Sequence, residues 1–591
     1  MSLVFLLNIK IKIGVKGEKL KKIILKVMGF IICGILLFYG MNYYFQPVWK
    51  DWNNYSTIYG FYEEPKNTIE TLFLGASIVV DGITPAELYR DYGICAYNMG
   101  TEQQPMMASY YWMLEADRLH KDSLKTIVLD TSMLRRTPEE AFFQKSLDGM
   151  KFSKIKLIAI RDYTENINNI FNYLFPVLEY HKRWESFNIT DFEKKSYKID
   201  NEVRGYNFTV GKLIDNRLAE EIAVPDYYID ETVEKEALDK ESLYYLKKMI
   251  QYCNQNQLEL ILIKTPAVSA WNIGYHNAVV EIADRYKLEF IDFNFEPYID
   301  EIHYNEATDS KDASHLNYYG AKKLTKWMGG YLRDECGNTD VRENEKYNFM
   351  EDELQKYEQK VDEVLELEES IDIVEYIEAG MRNEKNVILI TVKDEASQSL
   401  KSEQKKKLKA LGLKKLANIE NRDSYIGVID NSYIVYERLD NAPTQREEKD
   451  KEKMKDTWDD LDLPQIKEEK KKNTEVLEIE YAYQFDKITV DLKSGGYLSG
   501  NISSCKINGN EYSNNARGIN IVIYNKEEKK VINSRTFDTC VNSVELSSDL
   551  ESELVKELQL KTKFDDMSEK VQQLYLYNEM CEKKKRSNSL N

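Results

Sequence analysis

Histidine and cysteine are scarce in this sequence, five and seven among 591 residues. Any mechanism that needs a histidine base must choose among His120, His181, His276, His303 and His315. No Cys-x-x-Cys pair occurs, and no Cys/His cluster has the spacing of a zinc site. No metal and no cofactor is therefore expected. The odd, widely spread cysteines do not describe a disulfide framework, although Cys505 and Cys540 share one late segment and could pair. A global basic field is also missing. A net charge of -19 leaves nothing to attract phosphates along the whole surface, which argues against a nucleic-acid binder.

A chain of this length exceeds one ordinary core, so two or more domains are expected. Near the start, Val27 to Phe45 carries no charge. At about 1.5 Å rise per residue, that run spans a hydrocarbon core of roughly 30 Å. Tyr39, Tyr43, Tyr44 and Trp49 cluster at its far end, as in an aromatic belt. Residues 1–26 form a basic tail with Lys10, Lys12, Lys16, Lys19, Lys21, Lys22 and Lys26. The positive-inside rule then places the N-terminus in the cytoplasm and everything after the span outside. A cleaved signal peptide is the alternative. No small-x-small site follows the apolar run, where Met41-Asn42-Tyr43-Tyr44 is bulky, so a retained single-pass anchor is the expectation.

Residues 65–335 alternate strand-like and helix-like segments. Thr71-Leu72-Phe73-Leu74, Thr126-Ile127-Val128-Leu129, Leu258 to Ile263 and Glu289-Phe290-Ile291 are short apolar runs between helices. Such runs predict a three-layer α/β domain whose parallel sheet is covered on both faces. Residues 135–240 lack strand signals and read as a mostly helical insertion. A charged, helix-prone connector covers 338–365. Residues 366–441 carry helices and strands, including Asn386 to Val392. The dense charge run at 442–474 cannot bury a core and reads as a linker. Strand character returns over 475–560, and 561–591 is a helical tail.

The chemistry is carried by two short segments. Leu72-Phe73-Leu74-Gly75-Ala76-Ser77 is a strand running into a small-residue turn. In a parallel sheet, ligands bind at the carboxyl ends of strands. A serine there can present its hydroxyl at the sheet edge, although small residues at such turns are also common for structural reasons. Asp312-Ala313-Ser314-His315-Leu316-Asn317 is the second segment. A serine nucleophile needs a base, usually histidine, and the histidine needs a carboxylate to fix its tautomer. Asp312 and His315 are spaced so that a loop entering a helix can aim both at one point. His303 could line the same cleft, while His120, His181 and His276 read as helix-surface residues.

Together these segments make residues 68–333 resemble the SGNH/GDSL hydrolase superfamily. The Asp-x-x-His block matches residue for residue. Ala76 stands where the family usually has the aspartate of Gly-Asp-Ser, a departure shared with membrane-anchored relatives that O-acylate surface polymers. Pro266 and Asp292-Phe293-Asn294 also resemble that branch. The resemblance implies catalytic Ser77, Asp312 and His315. It also implies an oxyanion hole, for which Asn98 and Gly100 are the nearest candidates. Asn98 could equally cap a turn. The family's third block, Gly-x-Asn-Asp, is replaced by Leu129-Asp130-Thr131-Ser132, without the asparagine; Gln103 and Gln104 are possible substitutes.

The C-terminal half resembles the interleukin-like EMT inducer (ILEI/PANDER) domain, a compact β-rich α+β fold. Val387 to Ser397 with Asn421-Arg422-Asp423-Ser424-Tyr425 carries one part. Ser494-Gly495-Gly496 with Ala516 to Tyr524 and Thr536-Phe537-Asp538-Thr539 carries the other. Their order is reversed relative to the family, so one circularly permuted domain is expected, with two incomplete copies as the alternative. The resemblance implies sugar binding, for which Asp394 and Arg422 occupy suitable motif positions; an internal salt bridge or turn contact is the competing role. The combined expectation is an anchored esterase or O-acyltransferase acting on a cell-surface polysaccharide. Its implied partners are the bilayer through 27–45, the glycan, and a membrane acyl-donor protein. A non-catalytic glycan-binding or scaffold protein on a degenerate hydrolase fold is the rival.

Overall fold

The computed structural model describes residues 17–45, 53–164, 167–175, 177–178, 181–186, 202–212, 229–268, 271–370, 372–398, 400–440, 479–485, 488–497 and 499–538. The charged run at 442–474 and the tail at 561–591 lie outside the described residues, as does most of the basic tail.

Helix α1, Gly17–Phe45, opens the described chain. Its window Ile24–Met41 has a mean hydropathy of 2.2 and buries nothing against the rest of the protein. By length and composition it suits a membrane span or a signal sequence.

The first folded unit is a three-layer α/β domain. After α2, Asn53–Glu63, come β1, Thr71–Gly75; α3, Ser77–Gly82; α4, Pro85–Tyr92; β2, Ala96–Gly100; α5, Met106–Leu119; and β3, Thr126–Asp130. A short hairpin, β4 (Glu202–Val203) and β5 (Tyr206–Asn207), precedes β6, Glu259–Lys264, and β7, Glu289–Asp292. The main sheet runs β2-β1-β3-β6-β7, with every pairing parallel. Alternation along the strands sends side chains into two separate cores. Leu72, Leu74, Ile127, Leu129 and Leu262 pack with Trp112 of α5 and Met249 of the helix Lys240–Asn256. Phe73, Val128, Ile261 and Ile263 pack on the other face with Val79 of α3 and Leu324 of the helix Tyr318–Asp334. Each fully buried Leu, Ile or Phe contributes about 1.5–3 kcal/mol, so both faces must be covered before these strands are stable.

Tyr97-Asn98-Met99-Gly100 lies in an edge strand, not in a turn for Asn98 to cap, because β2 aligns with β1 from Thr71↔Ala96 to Gly75↔Gly100. The 135–240 insertion, expected to be mostly helical, also carries two short strands. Its hairpin β4–β5 sits against β2, with the Asn98 N–H donating to the Arg204 carbonyl at 3.1 Å. The hairpin thus occupies backbone groups that an exposed edge would leave open. Arg204 is fully buried there and ion-paired to Glu64 at 2.6 Å and Glu353 at 3.1 Å.

The C-terminal unit is β-rich. It contains β8, Asn386–Asp394; β9, Ser424–Asp430; β10, Tyr433–Asp440; β11, Ile479–Phe485; β12, Ile488–Gly496; β13, Ile502–Ile507; β14, Asn510–Glu511; β15, Gly518–Asn525; and β16, Lys530–Phe537. All nine join one hydrogen-bonded network. β8 is flanked by β9 from its own segment and by β15 from the later one, in register from Gly518↔Lys393 to Asn525↔Asn386. The two segments therefore contribute strands to one sheet. Ile388, Ile390 and Val392 face the helices Ile373–Arg382 and Ser402–Ala410. Val387 and Leu389 face β11, β12 and β13 across a second core. Cys505 is a free, buried thiol in that second core, and Cys540 lies outside the described residues.

The expected connector, 338–365, holds most of the helix Phe349–Glu369, which touches both units. Tyr89 donates to Glu351 at 2.7 Å and Tyr357 to Glu87 at 3.2 Å on the first. Lys360 pairs with Glu528, and Arg535 donates to the Glu368 carbonyl, on the second.

Candidate active site

Ser77 begins α3, directly beyond the carboxyl end of β1. Two glycines make the turn possible. A Cβ on Gly75 would lie 2.6 Å from Val79 Cγ2 and 3.1 Å from Asp130 Cβ; one on Gly100 would lie 2.9 Å from the Ala76 carbonyl oxygen. The 2.6 and 2.9 Å distances are shorter than real contacts allow and 3.1 Å is tight, so the backbone around this turn packs this closely only without those side chains.

The Asp312–His315 segment arrives from the far end of the domain. A backbone bridge between Ser310 and Leu316 closes its loop, and the Lys311 N–H donates to the His315 carbonyl at 3.0 Å. Leu316 is buried and anchors the loop in the second core. Asn317 then caps the helix Tyr318–Asp334 by accepting from the N–H groups of Tyr319 and Gly320. Its own amide donates to the carbonyls of Thr308 and Gly211, so the loop's exit is fixed on both sides.

This architecture brings Ser77, His315 and Asp312 together. Ser77 Oγ lies 2.8 Å from His315 Nε2. His315 Nδ1 lies 2.9 and 3.0 Å from the two Asp312 oxygens. With the ring proton on Nδ1 facing Asp312, Nε2 is free to accept the Ser77 hydroxyl proton. Asp312 also accepts from the N–H groups of Ser314 at 2.8 Å and His315 at 3.0 Å. Partial burial pushes the Asp312 pKa up, but these hydrogen bonds and the imidazole charge outweigh it and hold the carboxyl down to about 2. The Asp312 side chain is 48% exposed and that of His315 24%, so the group opens to solvent.

A second layer holds the two halves in place. Asp81, on α3 one turn beyond Ser77, pairs with Lys311 at 2.9 Å and accepts from Asn207 at 2.8 Å. It ties the serine helix, the histidine loop and the hairpin β4–β5 to one another. Neither Asp81 nor Lys311 stands out in the sequence. The only available signal is that Asp81 lies four residues after Ser77, on the same helical face.

The oxyanion candidates fare differently. Gly100 packs on the Gly75-Ala76 backbone, beside the serine turn. The Asn98 amide instead donates to the carbonyls of Val79 at 3.3 Å and Ile83 at 2.7 Å, and the residue is fully buried. Both its protons are committed to the backbone that follows Ser77, which is a bracing role. Gln104 is likewise engaged, with Met99, Ser109 and Thr101. Gln103 accepts from Arg136. Ser132, just past β3, is buried and its hydroxyl has no partner among the described residues.

The other histidines sit elsewhere. His120 is buried rather than on a helix surface, and its Nδ1 accepts from the N–H groups of Thr68 and Ile69. Burial, with the charges of Arg204 and Lys346, pulls its pKa down to about 4. His276 is buried too, with Nδ1 2.8 Å from Asp292. His303 is exposed just after the short helix Tyr298–Glu301, and the side chain of His181 lies outside the described residues.

In the C-terminal unit, Asp394 and Arg422 flank one glycine-lined corner. Gly496 aligns with Asp394, and a Cβ on it would lie 1.9 Å from the Arg422 carbonyl oxygen. The Arg422 guanidinium sits 4.4 Å from the ring centroid of Tyr497, which is half exposed. No ion pair joins Asp394 to Arg422 among the described residues.

Comparison with known families finds one match. Residues 342–429 match the interleukin-like EMT inducer family. The match begins within the expected connector and takes in the helix Phe349–Glu369, β8 and most of β9. The chain therefore carries an ILEI-like domain in its C-terminal half. No curated protein matches the chain.

Proposed function

We propose that this chain is a membrane-anchored esterase or O-acyltransferase of SGNH hydrolase type, acting on ester groups of a cell-surface polysaccharide. The observation that carries the reading is the 2.8 Å contact between Ser77 Oγ and His315 Nε2, with Asp312 behind the ring. In the proposed reaction, His315 takes the Ser77 proton as Oγ attacks the ester carbonyl. The tetrahedral oxyanion collapses, and the alcohol leaves with the proton held on Nε2. The acyl-serine then passes its acyl group to water, or to a sugar hydroxyl, with His315 again taking the incoming proton. Main-chain N–H groups at the Ser77 turn are the assigned oxyanion donors, since the Asn98 amide is committed elsewhere.

The ILEI-like domain supports a glycan as the substrate, with Asp394, Arg422 and Tyr497 as its contact residues, in the permuted order read from the sequence. Helix α1 supports an anchor at the membrane, with the folded units outside. The test is covalent labelling of the full chain by a fluorophosphonate probe together with release of acetate from acetylated glycans. Both are expected to vanish in Ser77→Ala; labelling unchanged by that substitution would end the proposal.

The missing third-block asparagine and the bracing role of Asn98 favour a second reading, a glycan-binding scaffold on a hydrolase fold. Glycan binding that survives Ser77→Ala, with no acetate released by the unmodified chain, would establish it.

A further inference from the structure

The helix Ile167–Leu174 lies in the insertion between β3 and β4 and is apolar on more than one side. Ile170, Tyr173 and Leu174 pack into the core that holds Trp112. There Tyr173 meets the rings of Phe143 and Tyr163 edge-on, with centroids 5.9 and 6.0 Å away. A second side carries Phe171, which is 46% exposed. Just past the helix comes Phe175, whose N–H donates to the Phe171 carbonyl at 2.9 Å. The two rings stack with centroids 6.1 Å apart. From Ile167 to Leu178 there is no charged residue, in a chain that is 31% charged. A surface helix ordinarily turns polar groups away from the core, so a second apolar side calls for an apolar neighbour. The turn His181–Ser186 follows and presents Trp184, 65% exposed, next to the basic Lys182 and Arg183. Tryptophan beside basic residues suits the headgroup level of a bilayer, where an amphipathic ring and a snorkelling cation are both satisfied.

Helix α1 fixes what these residues face. Phe38 of α1 meets Phe175 edge-on, with ring centroids 5.3 Å apart, and α1 also touches the turn His181–Ser186. Phe38 lies three residues before Met41, the far end of the apolar window Ile24–Met41. At about 1.5 Å rise per residue, Phe38 sits roughly 4.5 Å inside that end of the span. A ring in contact with it is carried to a similar depth. Interfacial helices sink their apolar face to a comparable depth, roughly 5–10 Å into the boundary between headgroups and acyl chains.

We propose that Phe171, Phe175 and Trp184 form a second membrane attachment, which seats the insertion in the lipid leaflet from which α1 emerges. The depth argument rests on the reading of α1 as a retained span. The inner side of the helix Ile167–Leu174 is locked into the core of the parallel-sheet unit. Two attachments therefore hold that unit at one height and one tilt above the bilayer, where a span alone would leave it free to swivel.

The test uses the full chain reconstituted in vesicles of phosphatidylethanolamine and phosphatidylglycerol, doped with a phospholipid that carries a photoreactive diazirine in its acyl chain. Cross-linked residues are mapped by mass spectrometry. Label is expected on α1 and on Phe171, Phe175 and Trp184, but not on the more exposed Tyr433 of β10. Phe171→Asp combined with Trp184→Asp should cut the label on this segment about tenfold and leave that on α1 unchanged, because a carboxylate is strongly disfavoured in the apolar layer. Both side chains are exposed, so the thermal melt should stay that of the parent; Trp184→Gln alone gives a second readout if the double variant folds poorly. Label on α1 with none on the three aromatic residues overturns the inference and leaves the anchor standing. Label spread equally to Tyr433 overturns it too, as random contact. Label on the three residues from a chain whose α1 has been cleaved away keeps the second attachment and removes only the anchor. Cross-linking of this face to a membrane protein, without lipid label, replaces the bilayer by a protein partner and overturns the inference.

Discussion

Replacing Asp312 by asparagine is the sharpest perturbation of the proposed triad. The carboxylate accepts four hydrogen bonds, two at the His315 ring nitrogen and one from each N–H of Ser314 and His315. An asparagine can keep the backbone pair with its oxygen, but its NH₂ then faces Nδ1. The imidazole must turn acceptor there and carry its proton on Nε2, pointing at Ser77. That tautomer cannot take the serine proton, and a swap of this kind lowers turnover by about 10⁴-fold in serine proteases. Stability should change far less. Asp312 titrates near 2 in the folded chain against about 3.9 when unfolded, a ceiling of roughly 2.6 kcal/mol. The side chain is 48% exposed, so solvent screening reduces this to about 1 kcal/mol. Because the folded pKa is depressed, that contribution is present above about pH 4 and lost as pH falls toward 2. The assay is the second-order rate of fluorophosphonate labelling, paired with a thermal melt at neutral pH. A variant that labels within tenfold of the parent, with an unchanged melt, would refute the tautomer argument.

Further expectations follow from the same geometry. Gly100→Val places a Cβ against the Ala76 carbonyl, so it should displace the serine turn, costing about 1–3 kcal/mol in stability and about 100-fold in labelling rate; a normal labelling rate contradicts the close-approach reading. Arg204→Ala strands Glu64 and Glu353 without their buried partner and should cost about 3–5 kcal/mol, read from denaturant unfolding; a loss under 1 kcal/mol would show that the pair relaxes into solvent. A chain anchored by α1 should remain in the membrane fraction after alkaline carbonate washing, and its folded units should be cleaved by protease added outside the cell; release into the soluble fraction would make α1 a cleaved signal.

The strands legible in the sequence were those buried on both faces. Thr71-Leu72-Phe73-Leu74 and Leu260-Ile261-Leu262-Ile263 read as continuous apolar runs because helices cover both sides. β2 was hidden because Asn98 and Gly100 interrupt it, and each is there for the serine turn rather than for strand propensity. The hairpin β4–β5 is too short to leave a period. In the C-terminal unit, β11 interleaves Glu480, Tyr481, Ala482, Tyr483 and Gln484 and buries only its two end residues, so it forms no apolar block. The Ser77, Asp312 and His315 grouping was legible because two local motifs carry it. Asp81, Lys311 and the engaged amide of Asn98 were not, since their roles arise only from contacts between distant segments. His120 and His276 misled for the same reason: each is buried by strands and loops that pack over its helix.

The hairpin β4–β5 has a consequence of its own. One face of it shields the margin of the sheet, through Arg204 of the hairpin turn, which bonds to Ala96 and Asn98 of β2. The other end holds Asn207 against Asp81, and through Asp81 the loop that bears His315. The cover of the sheet margin and the placement of the His315 loop therefore share a single fastening. A deletion that trimmed this insertion would open a sticky margin and loosen the histidine in the same stroke, so the two failures should be inherited together. Any shortened descendant that still folds should be expected to have rebuilt both attachments.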